Sequence, residues 1–409
     1  MGSYVTGLGA LTPLGNSVSG TWDAMVAGRS GISSITSFDT GDCPVTIGGE
    51  IRGFEPAAHM PRTEVRRMDP YARYAVAAAH EALRQAGVTP GVCPPERISI
   101  LVGSGYGTTK LDADAVRVFD AKGARAVRPY LSAYAAIDIV TAYLSMELGA
   151  MGESFAVSAA CASGTVVIGE AHRLIERGDA DIVVAIGAED SMSGKDLALT
   201  AATRALTSTH NDDPAAASRP FDRARDGFVL SSGAGAVVLE SEDSVRRRGS
   251  TPLARILGYG AASDAHHITA PHPEGLGARF AMRRALAAAR TDPSGIDYVN
   301  AHGTSTQLND RTETLAIQAE LGGRAREIPV SSTKSTTGHM IGAAGAVELI
   351  ACVKALETGL VPPTVNCDDP EFPEMNYVAH TAQEHPLRVA MSNSFGFGGH
   401  NAVLVVAAC

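Results

Sequence analysis

Between Asp181 and Gly187 the chain reads Ile182-Val-Val-Ala-Ile-Gly187, a run without a single polar side chain. Successive residues of a strand point to opposite faces, so a strand apolar on both faces must be covered on both. That demands an α/β layered architecture, with helices packed against a sheet from two sides. The rest of the chain fits this demand. Strands are expected at Tyr4–Leu8, Val45–Ile51, Ile98–Val102, Asp226–Glu240, Leu253–Gly260, Asp297–His302, Ile328–Ser332, Val389–Asn393 and Asn401–Val406. Helices are expected between them at 22–27, 135–148, 162–176, 276–290, 310–321 and 347–357. A further helix opens at Asp69-Pro70, an N-cap followed by proline at the first helical position, and stops at Gly87. Met1-Gly-Ser-Tyr-Val-Thr6 matches a bare N-myristoylation pattern, but Tyr4–Leu8 reads better as a buried first strand.

Composition narrows the class. With 45% hydrophobic and 19% charged residues the chain is a compact globular one. A net charge of −10 argues against nucleic acid as the main partner. The six cysteines form no CxxC pair and no metal-ligand spacing, which suits a reduced, cytoplasmic setting and calls for no metal or cofactor. No linker or low-complexity segment divides the chain, but there is an internal echo. Val157-Ser158 leads to a helix ending at Arg173–Gly178, and Val330-Ser331 leads to one ending at Lys354–Gly359.

The first of those echoes carries chemistry. In Phe155-Ala-Val-Ser-Ala-Ala-Cys-Ala-Ser-Gly164 a strand delivers Cys161 to a helix start. The positive end of a helix favours thiolate, the nucleophilic form, and the small neighbours leave room for a substrate. A buried, inert cysteine is the competing reading of the same stretch. Two histidines stand where strands pass into loops, His302 in Asn300-Ala-His-Gly-Thr-Ser-Thr306 and His339 in Lys334-Ser-Thr-Thr-Gly-His339. His59, His172, His380 and His385 read as surface positions. One reaction uses a thiolate and two imidazoles together. An acyl group held on Cys161 as a thioester is a covalent intermediate. A carboxylated second thioester loses carbon dioxide, and His302 and His339 can donate Nε2–H bonds to its enolate oxygen. Backbone N–H groups of Cys161 and of Gly396-Phe-Gly-Gly399, Gly398 among them, can hold the oxyanion of the condensation step. Lys334 and Glu348 are candidates to orient His339, or form an ordinary ion pair.

Five motifs lie in register from end to end: Ala160-Cys-Ala-Ser-Gly164, Arg219-Pro-Phe-Asp222 with Arg225-Asp-Gly-Phe228, Asn300–Thr306, Ser332–His339 and Asn393-Ser-Phe-Gly-Phe-Gly-Gly399. With them the whole chain resembles the β-ketoacyl-acyl carrier protein synthases of the elongating, type II kind. The resemblance implies a thiolase-like fold, two similar halves (1–250 carrying the cysteine, 251–409 carrying both histidines) in five αβαβα layers, assembled as a dimer. It implies Cys161 as acyl acceptor, His302 and His339 as the decarboxylation pair, and Lys334 and Glu348 as their support. It makes Phe397 a gate beside the cysteine and Thr304 and Thr306 the pair that holds the pantetheine arm. His266–Pro273 would move with the glycine loop, and Arg66 and Arg67 would dock an acidic acyl carrier protein. A type II polyketide ketosynthase, with a cysteine-less chain-length partner, is favoured over a housekeeping fatty-acid synthase. A non-catalytic partner subunit would lack Cys161, and a thiolase would need a second cysteine loop. Two departures stand out: Ser232 where relatives often carry an acid, and His400 after the double glycine. Small residues at Ala133-Tyr-Ala-Ala136 suggest a roomy acyl tunnel with Tyr134 turned away.

Overall fold

A computed structural model describes residues 2–409. Among the described residues, ten strands form one hydrogen-bonded sheet. In chain order they are β1 (Ser3–Leu11), β2 (Ile98–Gly103), β3 (Ser154–Val157), β4 (Ile182–Glu189) and β5 (Gly233–Ser241), then β6 (Ala254–Ser263), β7 (Tyr298–Asn300), β8 (Val330–Ser331), β9 (Val389–Gly396) and β10 (His400–Ala408). The spatial order is β8-β7-β9-β10-β6-β1-β5-β4-β2-β3. Each run of five therefore has the same order, third-second-fourth-fifth-first. The directions repeat as well: β2 is parallel to β3 and β4, as β7 is to β8 and β9, while β5 and β10 run antiparallel to their neighbours. Within the sheet the two runs meet where Ser3–Val5 of β1 pairs antiparallel with Ala254–Ile256 of β6. The apolar segment at 182–187 lies in a mixed sheet: β4 is parallel to β2 but antiparallel to β5.

Five principal helices build the layers: α1 (Pro70–Ala86), α2 (Ser163–Arg177), α3 (Leu276–Ala289), α4 (Gln307–Leu321) and α5 (Ala344–Thr358). The two-residue strand period sorts the side chains between them. Val183 and Ala185 of β4, with Val237 and Leu239 of β5, join α2 and α5 in a central core. Their alternates Ile182, Val184, Ile186, Ala236 and Val238 join α1 in a second core. On the other run Ala402, Leu404 and Val406 face the central core, whereas Val403 and Val405 face α3 and α4. Helix, sheet, helix pair, sheet and helices thus succeed one another as five layers.

Local signals hold where they are strong. Asp69 accepts from the Tyr71 N–H and Gly87 closes α1 in a left-handed conformation. They fail where tertiary contacts decide. A helix over Thr109–Lys122 has no expectation behind it, because its apolar face is weak and only Leu111 is buried. The Gly/Thr-rich segment after Lys334 was expected to be a loop; it begins with a helical turn, Lys334–Thr337, and is buried throughout. His172 is buried on α2, not exposed. No helix among the described residues is long and apolar enough to cross a membrane.

The two central helices touch at their N-termini through glycine. A methyl group on Gly164 would lie 2.8 Å from the Ala346 nitrogen and 2.8 Å from the Gly342 carbonyl oxygen, both backbone atoms that cannot swing away. The small residue beside Cys161 is therefore spent on this contact, not on room for substrate. Gly164→Ala is expected to lower the unfolding free energy by about 1–3 kcal/mol through overpacking. Denaturant titration monitored by circular dichroism measures it.

Candidate active site

Cys161 sits on a strained corner. Ala160 has φ of 48°, a left-handed conformation that alanine seldom adopts. Ser163 pins the corner, accepting from the Ala159 N–H at 2.9 Å and donating to the Ala160 carbonyl at 2.7 Å. The helix begins one turn-half later, at Ser163. The expected helix-end activation of the thiol is overridden. Burial pushes Cys161 up to about 11; the Phe397 N–H and the Lys334 charge pull down, and Glu189 pushes up. The resting group is a thiol.

His302 follows β7 in the other run. Its backbone N–H and that of Gly303 donate to the two oxygens of Glu313, at 2.7 and 2.8 Å, and Asn393 adds a third donor at 3.1 Å. The ring Nδ1 lies 3.2 Å from the Lys334 ammonium, which can only donate. Nδ1 is therefore the acceptor, and the ring proton is assigned to Nε2. Lys334 also bonds Glu348, and both are buried. This corrects one expectation: the Lys334–Glu348 pair orients His302, not His339. His339 is held by its backbone, whose N–H donates to the Val229 carbonyl at 2.7 Å and whose carbonyl accepts from Ser231 at 3.0 Å. Its ring stands edge-on to Phe228 at 5.2 Å and to His302 at 5.3 Å. Burial and the nearby ammonium hold both imidazoles well below their ordinary value, so both are neutral.

These groups meet in one cavity of about 320 Å³, lined by Cys161, His302, His339, Phe397, Thr304 and Thr306 and opening past Arg204, Thr269 and Leu308. Thr304 and Thr306 are linked, hydroxyl to hydroxyl, at 2.9 Å. Behind them buried Arg225 donates to the carbonyls of Thr306 and Gln307, each at 3.0 Å, and to Glu371 at 2.5 Å. Asp310 accepts from the N–H groups of Thr304 and Ser305. Glu313, Asp310 and Arg225 escaped sequence reasoning as site-builders. Arg225 and Asp310 do lie inside or beside the quoted motifs, which was the available signal.

The glycine loop reaches the cysteine. A methyl on Gly396 would come within 3.0 Å of the Cys161 nitrogen. The N–H groups of Cys161 and Phe397 both act on the sulfur. Gly398 does not serve in this way: its N–H donates to the Ile268 carbonyl at 2.6 Å. With Asp264 bonded to Gly399 and Asn401, that contact ties the segment containing His266–Pro273 to the glycine loop. Arg66 and Arg67 are exposed but lie away from the cavity lining. Arg67 pairs with Glu64 and covers the Tyr134 ring, and the Tyr134 hydroxyl donates to Glu64 at 2.6 Å. Ala133–Ala136 do not line this cavity either. Ser232 has a clear job: it donates to Asp190 at 2.8 Å and accepts from the Ser191 N–H at 3.1 Å. An acid at 232 would set two buried carboxylates together. His400 opens β10 with its side chain exposed, and nothing in the structure explains its choice.

Comparison with known proteins agrees with this geometry. Residues 4–244 match the beta-ketoacyl synthase N-terminal domain and residues 253–368 the C-terminal domain. The 3-oxoacyl-[acyl-carrier-protein] synthase 2 of Staphylococcus aureus is 42% identical over 403 residues, 98% of this chain and 97% of that protein. The ishigamide ketosynthase/chain length factor superimposes with a TM-score of 0.91 at 34% identity, covering 100% of this chain and 99% of that one. A chain of a type II polyketide synthase acyl-carrier protein in complex with its ketosynthase gives a TM-score of 0.91 at 28% identity, with 100% and 99% covered. The two domain matches and the 42% identity over 98% of the chain, on a doubled five-stranded frame that brings Cys161, His302 and His339 to one cavity, show that the chain belongs to the β-ketoacyl synthase family of acyltransferases.

Proposed function

We propose that the chain condenses a Cys161-bound acyl group with a malonyl-acyl carrier protein, releasing carbon dioxide and giving a β-ketoacyl-acyl carrier protein. The supporting observation is the single cavity shared by Cys161, His302 and His339, with Thr304 and Thr306 along it. In the first step the Cys161 sulfur attacks the acyl thioester and the carrier thiol leaves with a proton. In the second the malonyl C–C bond breaks, carbon dioxide departs, and the electron pair flows into an enolate. His302 donates Nε2–H to that oxygen because Lys334 occupies its Nδ1. His339, neutral and 5.3 Å away ring to ring, is the second donor. The carbanion then attacks the Cys161 thioester, and the Cys161 and Phe397 N–H groups take its oxyanion before the C–S bond breaks. Phe397 gates this step, and Thr304 and Thr306 hold the arm that brings each thioester in.

The pathway we favour is a type II polyketide one, supported by the likeness to ketosynthase and chain-length-factor structures. The fatty-acid reading is supported by the 42% identity to a 3-oxoacyl synthase. In either case we propose a dimer, with residues 1–250 and 251–409 as the two halves of each subunit. The outer edge of β3 is unpaired, and Met146 and Met151 beside it are more than three-quarters exposed. Arg66, Arg67 and the mouth residue Arg204 are the cations proposed to meet an acidic carrier. Purifying the chain alone and with its genomic neighbour separates homodimer from heterodimer.

Mass spectrometry of the intact protein after incubation with a panel of acyl-carrier proteins is expected to show the acyl mass on residue 161. Cys161→Ala abolishes that adduct and condensation while carrier binding persists; an adduct surviving in this variant sinks the assignment. His339→Ala is expected to block malonyl decarboxylation but leave acyl transfer to Cys161, read by carbon dioxide release against adduct formation. Because the free thiol is pushed up to about 11, alkylation of Cys161 by iodoacetamide should keep accelerating with pH through the neutral range and level off only near that value.

A further inference from the structure

Glu189 is a fully buried acid that the proposed chemistry does not use. It ends β4, and donors converge on it from three directions. The Ser104 hydroxyl reaches Oε1 at 2.9 Å and the Tyr106 N–H reaches it at 3.1 Å. Oε2 receives the Gly105 N–H at 2.7 Å and the Gly342 N–H at 3.1 Å. All four partners donate, so the group serves as a carboxylate. Burial, only partly offset by these donors, pushes it up to about 7, and above that pH it is ionised.

What Glu189 joins is specific. Gly105 packs over the strained corner of Cys161: a methyl there would lie 3.6 Å from the Ala160 carbonyl and 2.8 Å from Ile341. Ile341 has φ of 45°, Gly342 follows it, and both stand just past His339. The loop beside the cysteine belongs to the first run of strands, and the turn after His339 to the second. No covalent segment shorter than the whole intervening chain connects them. A methyl on Gly342 would lie 2.6 Å from the Gly105 nitrogen, so the two loops are in direct contact around the carboxylate.

We propose that Glu189 is a positioning residue that fastens the turn after His339 to the Ser104–Tyr106 loop beside Cys161, and so sets the distance between the nucleophile and the decarboxylating imidazole. This rests on the condensation reading above. Condensation needs both groups in register; loading of Cys161 needs only the first. A misplacement of about 1 Å costs on the order of 100-fold.

The experiment compares wild type, Glu189→Gln, Glu189→Asp and Gly342→Ala above pH 8, with acyl-carrier and malonyl-carrier thioesters as probes. Glu189→Gln should cut condensation by roughly 100-fold and Cys161 loading by far less. It should also move the pH profile of iodoacetamide labelling at residue 161 to lower pH, because an anion near the thiol is gone. Glu189→Asp keeps the charge and should leave that profile in place while restoring part of the condensation rate. Gly342→Ala parts the loops but keeps the acid, its methyl lying 2.9 Å from Glu189 Oε2: the condensation-to-loading ratio should fall while the labelling profile stays closer to wild type than that of Glu189→Gln. The proposal is overturned if loading and condensation fall together in step with a lowered melting temperature, or if Glu189→Gln keeps the wild-type ratio. Should Glu189→Gln not fold, Gly342→Ala with a wild-type ratio overturns it alone. Absence of loading and condensation in wild type would instead remove the condensation reading, leaving the labelling profiles to report on Glu189.

Discussion

The contact on which the rest of the molecule depends is the approach of α2 to α5 at their N-termini. Gly164 lies against Gly342 and Ala346, and a methyl on Gly345 would sit 2.1 Å from the Thr165 hydroxyl oxygen. Beside the seam the Thr165 hydroxyl of α2 is bonded to that of Ser394 on β9 at 2.7 Å. Because α2 carries Cys161 before it and α5 carries His339 before it, closing this seam is what brings the two into one cavity. Only residues without a side chain allow backbones so near. The sheets on either side follow, since each must cover one face of this helix pair.

Around that seam the site is built from buried charge. Glu313 takes the backbone N–H groups of His302 and Gly303, Asp310 those of Thr304 and Ser305, and Glu189 those of Gly105, Tyr106 and Gly342. Each carboxylate fixes a loop that has no ladder of its own, and leaves few buried N–H groups orphaned. Burial alone would drive these acids toward neutrality, and it does push Glu313 up to about 7. Lys334 is the counterweight on the reacting side. Burial first, and its ammonium second, keep the imidazoles neutral, and the ammonium fixes the proton of His302 on Nε2. A protonated histidine could not remain beside it. Two neutral, buried imidazoles thus line the inner end of the cavity, where low dielectric strengthens any bond they donate to a negative oxygen.

Much of this was legible residue by residue. The strand at 182–187, the capped helix opening at Asp69 and the helix after Cys161 were all readable because local pattern and burial agree there. Cys161, His302 and His339, which the structure brings to one cavity, stood out in the sequence because their contexts are motifs. The errors share a cause. Thiolate activation was inferred from a helix end, and burial of Cys161 outweighs it. Lys334 was assigned to the histidine five residues along, and space assigns it to the one 32 residues back. Gly164 was read as room for substrate, and packing uses it for a helix. The 109–122 helix was missed because its stability comes from contacts at its start, such as Thr109 with Asp196 and Leu111 with Asp69.

By itself the sequence determined the layered α/β class, the position of most strands and helices, and which side chains carry reactive groups, because these follow from period, propensity and chemical type within short windows. The tertiary structure alone decided which strands neighbour one another, which imidazole meets the ammonium, and where the thiol's proton resides. Those depend on distances between residues far apart in the chain and on the low dielectric of a closed core, and neither is written in any local stretch.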